Sequence, residues 1–180
     1  ADAPLMPTTS ATLFPGQQAL WSVDRAYRSF LRRPVDDKAE LAAKPPIAFI
    51  LLNPSTADEV QDDRTVARAR RFAAAWGYGE VIILNAFAFR ATNPQLLRAQ
   101  ADPVGAENDA VIVQSVEAVL AAQGTVVCGW GNHAKLHNRS AALRALLAKR
   151  ALQAFPLTQQ GEPRHPLYLP RDVERQPFPV

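Results

Sequence analysis

Cysteine is nearly absent from this chain. Cys128 is the only one, which excludes an internal disulfide framework and a cysteine-based zinc site. Within VVCGW it reads as a buried core thiol, and a reducing, cytoplasmic setting is the expected location. No apolar run is long enough to span a membrane. The first residues lack a basic segment followed by an apolar one, so no secretory leader is expected. Neither a Walker loop nor GxGxxG occurs, which leaves nucleoside-triphosphatase and dinucleotide readings without their motif. GxSxG is missing too. The HExxH pattern is absent around His133 and His137, so these two are expected as surface or loop-contact histidines.

What is present suits one α/β domain. The chain has 180 residues, 48% of them hydrophobic, enough for one full core and too few for two large ones. Net charge is only +3, and the pI is about 9.4. Arginine dominates the basic side, which favours phosphate and base recognition and makes DNA or a nucleotide the expected partner. Residues 1–22, rich in Pro, Thr, Ala and Gln, read as a loosely ordered lead-in, and 23–180 as a single domain. Tyr27 to Leu31 suggests a short edge strand, and a charged connector ends at Pro45-Pro46.

The central stretch is IAFILLNPSTADEVQDDRTVARARRFA, from Ile47 to Ala73. Its apolar start has the composition of a strand buried on both faces. Pro54 lacks an amide hydrogen and pushes Asn53 out of helical geometry, so the chain turns there. A helix follows from Arg64 to Trp76, capped by Asp62 or Asp63. Val66, Ala69, Phe72, Ala73 and Trp76 share one arc of it, and Arg64, Arg68 and Arg71 the opposite one. Asp58, Asp62 and Asp63 could together hold a divalent metal, but three acids before a helix more often cap it, and neither metal nor cofactor is expected.

Val81 to Leu84 reads as a second buried strand, ending at Asn85 before a loop with Phe87, Phe89 and Arg90. A helix from about Asn108 to Gln123 precedes a third strand, Val126 to Cys128. Gly129-Trp130-Gly131 then breaks the chain, with Asn132 expected to cap a helix to about Lys149. Ala151 to Phe155 could be a last strand, and after it Arg164 and His165 stand before Pro166 in an irregular loop. Alternating strands and helices imply a three-layer fold with a mainly parallel four-stranded sheet. In such a sheet Asn53, Asn85, Gly131 and His165 gather at the carboxyl edge, where these folds bind ligands.

The combination LLNPSTADEVQDDRT, WGYG, LNAFAFRAT, CGWGNHA and GEPRHPLYL closely resembles DUF1643, a bacterial and phage family of unknown function. A more distant resemblance is to the uracil-DNA glycosylase superfamily, carried by Leu52-Asn53-Pro54, Leu84-Asn85, Gly129 to Ala134 and His165-Pro166-Leu167, in that order. It implies a uracil-DNA-glycosylase-like fold and a protein acting on a nucleobase or nucleotide, with hydrolysis of the N-glycosidic bond in DNA as the reaction. Under it, Asn53 would position the attacking water and His165 would stabilise the departing base anion. Asn85 would read the base edge, and Leu167 would lie near the residue that wedges into the duplex. Pro54, Ser55, Phe87 and Gly131 complete the expected substrate-binding set, with Arg64, Arg68, Arg71, Arg90 and Arg164 on nucleic acid. The sequence departs from the pattern at Ser55-Thr56 and Leu167-Tyr168, and it has no carboxylate at position 53. Two other readings stay open: a non-catalytic nucleic-acid or nucleotide-binding module, and a metal-assisted hydrolase using Asp58, Asp62 and Asp63.

Overall fold

The structure, a computed structural model, describes residues 13–35 and 44–180. Most of the charged connector before Pro45-Pro46 and the first twelve residues lie outside them. Seven strands make one sheet: β1 (Ala19–Trp21), β2 (Arg28–Pro34), β3 (Pro46–Leu51), β4 (Glu80–Asn85), β5 (Thr125–Cys128), β6 (Gln153–Ala154) and β7 (Gln176–Pro177). Their order is β1-β2-β4-β3-β5-β6-β7. Among the described residues four α-helices accompany them: α1 (Arg64–Trp76), α2 (Pro94–Ala99), α3 (Asn108–Ala121) and α4 (Arg139–Leu146).

The sheet is mixed, which corrects the expectation of a mainly parallel four-stranded one. β4, β3, β5 and β6 pair in parallel, but the pairings of β1 with β2, β2 with β4 and β7 with β6 are antiparallel. β2 is covered by β1 and so is not an edge strand. Residues 13–22 of the expected lead-in are built into the fold: Leu13 is 2% exposed, and β1 pairs with β2.

Strand alternation splits the core into two layers. Ala48, Ile50, Ile82, Leu84 and Val126 face α3 and α4, packing on Ile112, Val116 and Leu143. Ile47, Phe49, Val81, Ile83 and Val127 face α1, packing on Val66, Ala69, Phe72 and Ala73. Side chains of a strand point alternately to its two faces, so a strand apolar throughout must be covered on both.

α1 has the extent expected. Asp63 Oδ1 accepts from the Val66 amide at 2.9 Å, and Gly77 ends the helix at φ 87°, a conformation that favours glycine. Asn132 does not cap a long helix. Residues 132–138 form a 3-10 segment with non-helical backbone at Leu136 and His137, and α4 starts only at Arg139.

Candidate functional site

A cleft of about 470 Å3 opens at the carboxyl ends of β3, β5 and β6. Three of the four strand-end residues expected to converge there do so: Asn53, Gly131 and His165 all line it, together with Ser55, Arg164 and Leu167. Asn85 does not.

Asn53 sits just past β3. Its Nδ2 donates to Ala91 O at 2.8 Å and Pro54 O at 3.0 Å. Two carbonyl acceptors fix which end of the amide is nitrogen. Both amide hydrogens are therefore engaged, and no hydrogen bond reaches Oδ1 among the described residues. The side chain offers the cleft an acceptor. Pro54 is buried beneath it, its carbonyl also taking the Ala91 amide.

His165 ends the loop after β6. The Leu167 amide donates to its Nδ1 at 3.3 Å. An accepting Nδ1 places the proton of the neutral ring on Nε2. Burial pushes its pKa down to about 4, outweighing the raising influence of Asp63. The ring is thus neutral at physiological pH and keeps an Nε2–H donor.

Gly131 makes this loop possible. Its φ is 73°, and a Cβ built on it would stand 3.7 Å from His165 Cβ. Its amide donates to Pro163 O at 2.7 Å, joining the β5 turn to the histidine loop. Below, Glu162 is 5% exposed and accepts from Trp130 Nε1 and Ser140 Oγ, each at 2.7 Å.

Asn85 and Phe87, expected to contact substrate, are packed beneath the site. Asn85 is 1% exposed and Phe87 fully buried. Asn108 Nδ2 donates to the Asn85 carbonyl at 2.9 Å, and Arg139 Nε to Ala86 O at 2.7 Å. These bonds hold the end of β4 inside the fold. Among the described residues the Asn85 Nδ2 meets no acceptor. The ring of His137 stands edge-on to Phe87 with centroids 6.2 Å apart, a loop contact as expected.

The arginines divide. Arg164 lines the cleft. Arg64 and Arg71 are exposed on α1, while Arg68 donates to Leu169 O and lies over Phe72. Arg90 is tied down: its Nε donates to Ser55 O at 3.2 Å, and its guanidinium lies 4.9 Å from the Trp21 ring centre.

The three acids that could have held a metal are engaged separately. Asp58 Oδ1 accepts from the Val60 and Gln61 amides, Asp62 pairs with Arg33 and Arg70 at 2.8 Å, and Asp63 caps α1.

Sequence reasoning did not find Thr65, Thr92, His133, Thr158 or Tyr168, which also line the cleft. Asn132 Oδ1 there accepts from Thr158 Oγ1 at 2.7 Å. Hydroxyls and a helix start leave no pattern that singles them out before the loops are folded.

Residues 28–167 match the family described as a protein of unknown function, DUF1643. The chain belongs to the DUF1643 family. The matched span of this DUF1643 chain runs from β2 through the His165 loop and so contains Asn53, Gly131 and His165. No curated protein and no solved structure matches the chain. Among the described residues no helix is long and apolar enough to cross a membrane.

Proposed function

We propose that this DUF1643 protein is a uracil-DNA-glycosylase-like N-glycosyl hydrolase acting on a nucleobase in DNA. The observation that carries the reading is the pairing of a bare acceptor, Asn53 Oδ1, with a neutral donor, His165 Nε2–H, in one cleft. Hydrolysis of an N-glycosidic bond needs these two functions. Asn53 Oδ1 holds a water whose oxygen bonds to C1′ of the sugar as the C1′–N bond breaks. The bonding electrons leave with the base, and His165 Nε2–H hydrogen-bonds the base oxygen on which negative charge collects. The water's proton ends on the released base, so the sum is water plus nucleoside giving free base and sugar hydroxyl. A neutral donor in a dry site stabilises such an anion by about 3 kcal/mol. A base reaches the cleft only by leaving its stack.

Among the described residues no carboxylate lines the cleft. No carboxylate therefore stands directly against the sugar cation, and slow turnover follows. The same observation favours a second reading, a module that binds a base or nucleotide without cleaving it.

The test uses DNA oligonucleotides, each with one uracil, hypoxanthine or xanthine, single-stranded and duplex, incubated with the protein in EDTA. Alkali-labile abasic sites at one base support the hydrolase. Shifts of the His165 ring signals on adding free bases, without abasic sites, select the binding module. Neither response removes both readings.

A further inference from the structure

Two shallow hollows on α1 connect with the cleft. One, of about 190 Å3, is lined by Arg68, Arg71, Phe72 and Arg171. The next, of about 320 Å3, shares Arg68 and Arg71, adds Arg64, and reaches Leu167. Leu167 in turn lines the cleft. The hollows share lining residues in sequence, so they form one track from Arg171 to the mouth of the site.

Positions 64, 68 and 71 recur at the helical period on one face and span about 10 Å at the α-helical rise. The acids along the track are already engaged: Asp62 with Arg33 and Arg70, and Asp63 at the α1 N-terminus. Arg64, Arg71 and Arg171 stand exposed. Where the track meets the cleft, Tyr168 is 85% exposed, its ring centre 6.3 Å from that of His165.

We propose that this track binds single-stranded DNA, its backbone running along Arg171, Arg71, Arg68 and Arg64, with Tyr168 stacking a base at the cleft mouth. The inference rests on the proposed action on a DNA base and adds the form of the substrate and the path it takes. A basic groove leading to an aromatic platform is how proteins hold unpaired strands. Duplex DNA fits poorly, because its bases are stacked on both faces and offer Tyr168 no free surface.

The experiment measures binding of a fluorescent 15-nucleotide single strand and of its duplex against salt concentration. Four phosphate contacts predict a log–log slope of about −3 on the single strand. R71A/R171A should lower the slope to about −1.5, and Y168A should weaken binding about tenfold at unchanged slope. All three substituted side chains are exposed, and a thermal melt confirms that each variant is folded. Tighter binding of the duplex, or an unchanged slope in R71A/R171A, overturns the track. An unchanged affinity in Y168A overturns the stacking role. Binding of free bases in the cleft is read separately from His165, so loss of the track and loss of the proposed function give different results.

Discussion

Trp130 Nε1 donates to Glu162 Oε2 at 2.7 Å, and the bond ties the turn after β5 to the loop that carries His165. Ser140 Oγ reaches the same carboxylate from α4, and Arg144 Nη2 at 3.4 Å completes the set. The carboxylate is therefore surrounded by donors in a buried place, where charge-assisted bonds are strong and their loss is costly.

Glu162→Ala should destabilise the fold by about 2–4 kcal/mol, because Trp130 and Ser140 would be left with buried, unpaired donors. Urea unfolding measures this. Glu162→Gln keeps the shape and one acceptor, so it should cost less than half as much. Equal stability of the alanine variant and the parent would show that the network does not hold the loop.

His165 sets a pH window. Its folded pKa is about 4, below the ordinary 6.5. The unfolded chain therefore binds more protons between those values. The contribution is fully present above about pH 6.5 and is lost as the pH falls through 4. Unfolding at pH 7.5, 5.5 and 4 should show a decline on the order of 1–3 kcal/mol that His165→Gln removes. Base release, if it uses the neutral ring, should hold steady down to about pH 5.

Much of this architecture is legible in the sequence where local chemistry decides it. α1 is marked at both ends, by Asp63 and Gly77, and by its arginine-opposed apolar arc. β3, β4 and β5 stand out as short aliphatic runs. β1 and β7 do not, because three- and two-residue strands exist only through pairing with β2 and β6. Asn85 illustrates a different limit. β4 is apolar on both faces and shows no alternation, so nothing in its sequence tells on which side its last residue falls. Asn53 escapes that ambiguity because Pro54 forces the chain to turn immediately after it.

Asn85→Asp should act on stability and not on recognition. The position is almost fully buried, and its neighbours Asn108 and Arg139 are directed at backbone carbonyls. An added carboxylate there has no donor arranged for it, and a loss of about 2–4 kcal/mol follows. Thermal melting should show the loss, while affinity of the folded protein for free bases stays as in the parent. Weakened base binding with an unchanged melt would return Asn85 to the site.

Asn53 ties two loops together and lines the cleft, and two substitutions separate a loop tie from the proposed water-holding role. Its two amide hydrogens bind the carbonyls of Pro54 and Ala91, joining the loops after β3 and β4. Asn53→Asp leaves an oxygen facing those carbonyls at neutral pH. The lost bonds and the repulsion should destabilise the protein by about 1–3 kcal/mol. The introduced carboxyl would have a raised pKa in the folded state, because desolvation and facing oxygens both oppose its charge. A group with a raised folded pKa stabilises at low pH and ceases to as the pH rises, so the penalty of this variant should shrink on acidification. Parent and variant both lose stability over this range through His165, so a convergence of the two melting curves between about pH 7 and 5 reports the introduced carboxyl alone. Asn53→Ala removes the acceptor and both bonds, with no such convergence. If Asn53 only joins the loops, both variants should release base at the parental rate once corrected for the folded fraction. If it holds the water, Asn53→Ala should be slower by about 100-fold per folded molecule. A folded Asn53→Ala protein releasing base at the parental rate would remove the water-holding role and leave Asn53 as a loop tie.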